Sequence, residues 1–328
     1  MQKKRLRLPA LLSLGALLAC LSGCAPARNA AVGYYFDTAV TLTGYCPEQV
    51  LREALAECAR YEALLSKTRA GSDVWRLNHS AGEAVEVSAD TLAVLALAQE
   101  VAQRSGGAFD VTIAPVSALW DFKAAEPTLP PREALQAAAA RVDYTQITLE
   151  GGRARLGPGQ SIDLGGVAKG YVADALAGFL TDRGVKSALV NLGGNVKALG
   201  AKPRRVPWQV AIQDPAGEPG ASLAKLPLGE NGSLVTSGVY ERGFNLGGVR
   251  YHHILDPATG YPVQNGILSV TILAQSSMLA DALSTACFVL GVEKGKALAA
   301  DYGAEALFVL DTDEMVSTEG MEALLNIG

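Results

Sequence analysis

Apolar and polar positions alternate through YYFDTAVTLTGY (34–45), with β-branched residues among them, and this pattern predicts a strand. The period then lengthens. PEQVLREALAECARYEALLS carries its apolar residues at helical spacing, and Pro47 suits a helix start, so a helix is predicted there. A second helix is predicted over 88–107, capped by Ser88 and stopped by Gly106 and Gly107. VAKGYVADALAGFL and MLADALSTACFVLG (278–291) read as two more helices, and QDPAGEPGASL (213–223) reads as an exposed loop closely flanked by strands. Helix, strand and loop alternate to the end without a repeat period. The expected fold is therefore one compact α+β unit, with two lobes as an option.

The N-terminal stretch follows a different pattern. Lys3, Lys4, Arg5 and Arg7 precede an apolar run, which is the form of a secretory signal rather than of a folded element. Leu21-Ser22-Gly23-Cys24 looks like a bacterial lipobox, with Cys20 as a weaker rival site. The expected division is a lipoprotein signal over 1–23, lipidated Cys24 with a short flexible tether over 24–33, and a catalytic domain over 34–328. That division places the domain at the extracytoplasmic face of the cell membrane, held there by its lipid.

The chain of 328 residues is 49% hydrophobic, enough for a substantial core. Its net charge is −5, and the leader contributes only positive side chains, so the remainder is more acidic still. Nucleic-acid binding is not expected. Beyond the leader, Cys46, Cys58 and Cys287 have no metal-ligand spacing. Core packing suits Cys58 and Cys287, while Cys46 and Cys58 remain able to pair if the fold brings them together.

Chemistry concentrates in a few short stretches. DLGGVAKGYVADAL (163–176) is neither a G-x-x-x-x-G-K-[ST] loop nor a G-x-G-x-x-G turn. It reads as the end of a strand, a tight turn at Gly165 and Gly166, and a helix whose free N–H groups, with Lys169, suit an anion. Asp281 and Thr285 stand four apart on a predicted helix, so they share a face and offer hard oxygen ligands fit for Mg²⁺ or Ca²⁺. RYHHILDPATGYPV (250–263) holds two of the three histidines, and an enzyme needing an imidazole would draw on His252 or His253. SGGAFDVTIAPV (105–116), NLGGN (191–195) and VTSGVYERG (235–243) each set small residues beside a polar or aromatic one in a loop.

The order of these stretches says more than any one of them. GGAFDVTIAPV, DLGGVAKGYVAD, NLGGN, VTSGVYER, HILDPATGYP and ADALSTACFVLG follow one another along the chain. Together they resemble the ApbE family of FAD:protein FMN transferases, including its lipoprotein members, from about Tyr34 to the C-terminus. The resemblance implies a T-fold-related α+β unit that moves FMN from FAD onto a threonine or serine hydroxyl of an acceptor flavoprotein, such as a membrane redox subunit, releasing AMP. It implies Mg²⁺ held by Asp281, Thr285 and the Gly166 carbonyl. It places Phe36, Ala108, Phe109, Asp110, Asp163, Lys169 and Ile254 against FAD, and gives His253 the role of assisting deprotonation of the acceptor hydroxyl. Two alternatives stand beside it: an FAD pyrophosphatase giving FMN and AMP, and a lipoprotein that binds FAD without chemistry.

Overall fold

The computed structural model describes residues 27–218 and 220–325. The leader and Cys24 lie outside the described residues. The chain opens with β1 (Asn29–Tyr35) and β2 (Thr38–Gly44), then α1 (Glu48–Leu65), α2 (Asp73–Asn78), β3 (Val85–Glu86), α3 (Ala89–Arg104), α4 (Ala114–Ser117) and α5 (Arg132–Ala139). Next come β4 (Thr148–Glu150), β5 (Arg153–Arg155), α6 (Ala168–Asp182), β6 (Ala188–Leu192), β7 (Asn195–Leu199), β8 (Trp208–Gln213), β9 (Ser222–Leu228) and β10 (Ser233–Gly238). The remainder is β11 (Gly243–Leu246), β12 (Val249–His252), β13 (Ile267–Ala274), α7 (Ser277–Leu290), α8 (Val292–Asp301), β14 (Glu305–Leu310), β15 (Met315–Ser317) and α9 (Glu319–Leu325).

Eight strands form one sheet in the order β1-β2-β6-β7-β10-β13-β14-β15, and every neighbouring pair is antiparallel. Alternate side chains feed two cores. Val235, Ala306 and Phe308 join the main core with α1, α3, α6 and α7, whereas Leu234, Leu307 and Val309 point the other way, into a smaller core with Trp208, Val210 and Ile212 of β8. A third cluster gathers Val116, Trp120, Leu135 and Phe244. The longer helices on one face of a wholly antiparallel sheet, with the β8–β9 ribbon and α9 on the other, make this the expected α+β unit, and both principal cores share the same sheet.

Local chemistry explains several element boundaries. Pro47 precedes α1, the Ser88 side chain accepts the Thr91 N–H at the start of α3, and Gly106 and Gly107 follow that helix with φ of 63° and 85°. Three expectations need correction. The single strand expected over 34–45 is a hairpin, because Phe36 and Asp37 both take left-handed φ (54° and 57°) and reverse the chain between Tyr35 and Thr38. The tether expected to reach residue 33 ends sooner: residues 29–33 belong to β1, hydrogen-bonded to β2. Cys46 and Cys58 do not pair; they and Cys287 are buried free thiols, and burial raises the Cys58 thiol to about 12. Among the described residues no helix is long and apolar enough to cross a membrane.

Candidate active site

Gly170, in the first turn of α6, lies directly against α7. A Cβ there would sit 2.2 Å from the Ser277 carbonyl oxygen and 2.7 Å from Asp281 Cβ, so only glycine lets these helices close. The approach brings Asp281 to the open end of α6, where its Oδ2 accepts the Gly170 N–H at 2.8 Å. Since α6 has no side-chain cap from its own N-cap residue, a carboxylate from another helix supplies one. The arrangement is mutual. Asp174 of α6 accepts the Ser277 and Met278 N–H groups at 3.0 Å each and the Ser276 hydroxyl at 2.9 Å, at the start of α7. Both helices contain Ala-Asp-Ala-Leu, at 173–176 and 280–283, and each aspartate caps the other helix.

Asp281 is 2% exposed, yet its Oδ1 makes no hydrogen bond among the described residues; Lys169 Nζ lies 4.0 Å away and donates to Asn195 Oδ1 at 3.1 Å instead. A carboxylate oxygen without a donor, on a residue otherwise buried, suits a cation. One helical turn further, the Thr285 hydroxyl lies 3.3 Å from where a Cβ on Gly166 would stand, and Phe109 Cε2 lies 3.1 Å from the same point. The Gly166 main chain, the Thr285 hydroxyl and the Asp281 carboxylate thus offer oxygens of the kind Mg²⁺ takes, with few protein ligands and the rest left to phosphate and water. Among the described residues no group of three or more His, Cys, Asp or Glu could hold a metal, so a cation here would depend on the hydroxyl and main-chain oxygens. Ser237, at the end of β10, supports this face, with its Oγ 2.7 Å from Ser284 Oγ and 3.5 Å from Thr285 Oγ1.

The two loops beside the site are bonded to each other. The Asp163 N–H donates to the Val111 carbonyl at 2.8 Å, joining the stretch that begins at Asp163 to the one that holds Phe109 and Asp110. Residues 161–164, read as the end of a strand, are not one: the Asn78 side chain brackets Ile162 through two bonds of 2.9 and 2.7 Å, taking the place of a neighbouring strand. Asp163 accepts Lys67 Nζ at 2.6 Å and the Ser117 hydroxyl at 3.3 Å, while its Oδ1 accepts the Gly165 N–H at 2.9 Å. Asp110 is fully engaged within the protein. Its oxygens accept the Thr112 N–H and hydroxyl and the Tyr144 N–H, and burial raises its pKa against the opposing pull of those bonds. Ala108 is half-buried and Phe109 is buried.

Phe36 comes from a separate part of the chain. It occupies the β1–β2 turn, donates its N–H to Glu62 Oε1 at 2.7 Å, and packs against the main core. The glycines of NLGGN form the β6–β7 turn, and Gly193 (φ 54°) also meets β2, where a Cβ would lie 2.2 Å from Thr38 Oγ1. Lys67 and Ser117 are site residues that the sequence does not reveal, because each enters through contacts between residues distant along the chain, whereas Asn195 and Ser237 lie in stretches the sequence had already marked.

The two histidines differ sharply. His252 is 2% exposed; its Nε2 donates to the Val263 carbonyl at 2.9 Å and its Nδ1 accepts the Ile254 N–H at 3.3 Å, so both ring nitrogens are occupied. Ile254 is buried in the main core. His253 follows the end of β12 and is half-buried. Its Nδ1 lies 3.3 Å from the Arg242 carbonyl, and donation there leaves Nε2 as an acceptor. Burial first, then the charges of Arg242, His252 and Lys169, push its pKa down to about 4, with the Arg242 carbonyl opposing. The ring is therefore neutral near pH 7 and able to take a proton.

A cavity of about 680 Å³ opens at the same end of the sheet. It is lined at one end by Asp37, Gly193, Gly194, Tyr240, Glu241 and Arg242. From there it runs along the sheet face that carries Leu189, Asn191 and Thr236, beside Gln209, Ala211 and Gln213 of β8.

A hard-oxygen site beside a lysine at a helix start, on an α+β scaffold, suits a protein that handles a phosphorylated ligand with a divalent cation. The chain belongs to the ApbE family, whose model matches residues 36–308. It is 39% identical to the FAD:protein FMN transferase of Treponema pallidum over 289 residues, covering 83% of this chain and 80% of that protein. It is 32% identical to the FAD:protein FMN transferase of Haemophilus influenzae over 313 residues, covering 92% and 89%. Among solved structures, the Thermotoga maritima ApbE protein superposes with a TM-score of 0.83 at 32% identity, covering 91% of this chain and 99% of the other. The Vibrio cholerae flavin transferase ApbE gives a TM-score of 0.81 at 29% identity, covering 91% and 100%.

Proposed function

We propose that this chain transfers the FMN moiety of FAD to a threonine or serine hydroxyl of an acceptor protein and releases AMP, the activity for which its relatives are named. The observation that carries the reading is the buried Asp281, with a free Oδ1, held beside Thr285 and Gly166 at the start of α6. Asp281, Thr285 and the Gly166 carbonyl would hold Mg²⁺, which when bound supplies charge neutralisation at the pyrophosphate. Lys169 and the first turn of α6 attract the same phosphates. Ala108, Phe109, Asp110, Asp163, Ile254 and Phe36 form the surroundings of FAD in this reading, Asp110 through its main chain because its carboxylate is already engaged.

The acceptor oxygen attacks the FMN-side phosphorus, an O–P bond forms, and the bond from that phosphorus to the bridging oxygen breaks. AMP leaves with the bridging oxygen. The hydroxyl proton passes to Nε2 of His253, which is neutral and unoccupied. No oxidation accompanies the transfer. A lipid on Cys24 would keep the domain at the extracytoplasmic membrane face, close to membrane redox subunits that could carry the acceptor hydroxyl.

In-gel fluorescence tests this reading. Purified protein, FAD, Mg²⁺ and an acceptor domain bearing a Thr/Ser flavinylation motif should yield an acceptor band that stays fluorescent after denaturation, and chelator should abolish it. A dark acceptor band, under conditions where FAD binds, overturns the transferase assignment, and chromatography of an acceptor-free reaction reads hydrolysis to FMN and AMP.

A further inference from the structure

Three strands of the large sheet leave one face uncovered. The β8–β9 ribbon packs over the part of that face formed by Val196, Ala198, Leu234 and Leu307. Beyond its edge the register places Val32 opposite Thr41, and Thr41 opposite Asn191, so β1, β2 and β6 present one continuous surface. Val32 and Tyr34 stand on it 67% and 70% exposed. The 680 Å³ cavity is the groove where this open face meets β8, and its far end is the Glu241–Arg242 segment whose main chain anchors His253.

We propose that this groove receives the acceptor polypeptide, as an extended segment lying along the free edge of β8 with its hydroxyl-bearing residue at the Arg242 end. The inference rests on the transferase reading and adds where the second substrate enters. Three observations favour such an occupant. None of the residues placed around FAD is among those lining the groove. Next, β8 pairs only with β9, and its other backbone edge has no hydrogen-bond partner among the described residues, which is the chemistry that adds an extended strand. Finally, the lining combines the amides of Gln209, Gln213 and Asn191 with apolar Val196 and Leu234, a mixture that accepts peptide backbone and small side chains alike. The exposed Val32 and Tyr34 extend the same surface outward, giving the body of a folded acceptor a place to rest.

Two substitutions outside the residues placed around FAD test the proposal: Ala211→Trp, which puts a bulky side chain among the lining residues of β8, and Val32→Glu, which charges the exposed surface beside it. Flavinylation of one purified acceptor domain is measured against its concentration, together with FAD binding by fluorescence and the melting temperature. Each variant should raise the acceptor KM by about tenfold or more, equivalent to about 1.4 kcal/mol, with FAD affinity, melting temperature and kcat close to wild type. Unchanged acceptor KM in both variants, while wild type transfers normally, overturns the docking site and leaves the transferase reading standing. If the substitutions instead break a dimer seen by light scattering and leave acceptor KM unchanged, the face is a contact between copies and the proposal fails. Absence of transfer by wild type removes the transferase reading, and the docking inference with it.

Discussion

Asp281 combines two tasks in one side chain: Oδ2 completes the start of α6 while Oδ1 is left for a cation. Replacing it by asparagine keeps an oxygen for the Gly170 N–H and removes the charge. Asp281→Asn should therefore retain its fold by circular dichroism, bind Mg²⁺ or Mn²⁺ much more weakly by calorimetry, and lose roughly a hundredfold or more in transfer rate. His253 makes a different prediction. Because its ring is held neutral down to about pH 4, kcat should show no loss through pH 6.5 that is due to this histidine, and should fall only as the pH approaches that lower value. His253→Ala should slow transfer by roughly 10² or more while leaving FAD affinity unchanged in a fluorescence titration. The residue pattern left His252 and His253 both open, and only the family resemblance favoured His253. Hydrogen bonds to Val263 and Ile254 occupy the first ring, and such bonds arise only when the chain after β12 folds back on itself.

At the scale of elements, the pairing of α6 with α7 builds the site. Asp174→Ala removes three bonds from the start of α7 and should cost about 1–2 kcal/mol in urea unfolding. Gly170→Ala meets backbone rather than a flexible side chain, so the helices must separate. That variant should lose thermal stability and cation affinity together, which a purely local helix effect would not do. Helix limits were largely legible in the sequence: α1, α3, α6 and α7 follow apolar periods, and Pro47, Ser88, Gly106 and Gly107 mark their ends. The β1–β2 turn was not legible, because Phe36 and Asp37 occupy left-handed positions where glycine or asparagine would have announced a reversal. Nor could residues 161–164 be separated from a strand, since a side chain of α2, Asn78, stands in for the missing neighbour.

For the whole molecule, the two histidines set a pH dependence of stability. His252 and His253 both have folded-state proton affinities below the ordinary histidine value of 6.5, chiefly through burial. Below pH 6.5 the unfolded chain binds protons that the folded chain refuses, so stability should decline as the pH falls from 7 towards 5. A series of melting temperatures across that interval checks this, and His253→Gln should flatten the decline. Whole-chain organisation was legible in the ordered stretches around Phe109, Gly166, Asn195, Tyr240, His253 and Asp281, which already implied one α+β unit and its family. The partnership of Lys67 with Asp163, 96 residues apart, was not, because sequence spacing carries no information about which surface charges meet. The start of the folded unit at Asn29 was also hidden, since Asn-Ala-Ala-Val-Gly reads as a flexible tether until β2 is there to pair with it. The central claim is that this fold joins FMN to a protein hydroxyl, and mass spectrometry of the acceptor after incubation with FAD and Mg²⁺ tests it most directly. The account predicts an acceptor carrying covalent FMN, with AMP released in equal amount and neither product from Asp281→Asn; an unmodified acceptor beside equal amounts of free FMN and AMP would contradict it.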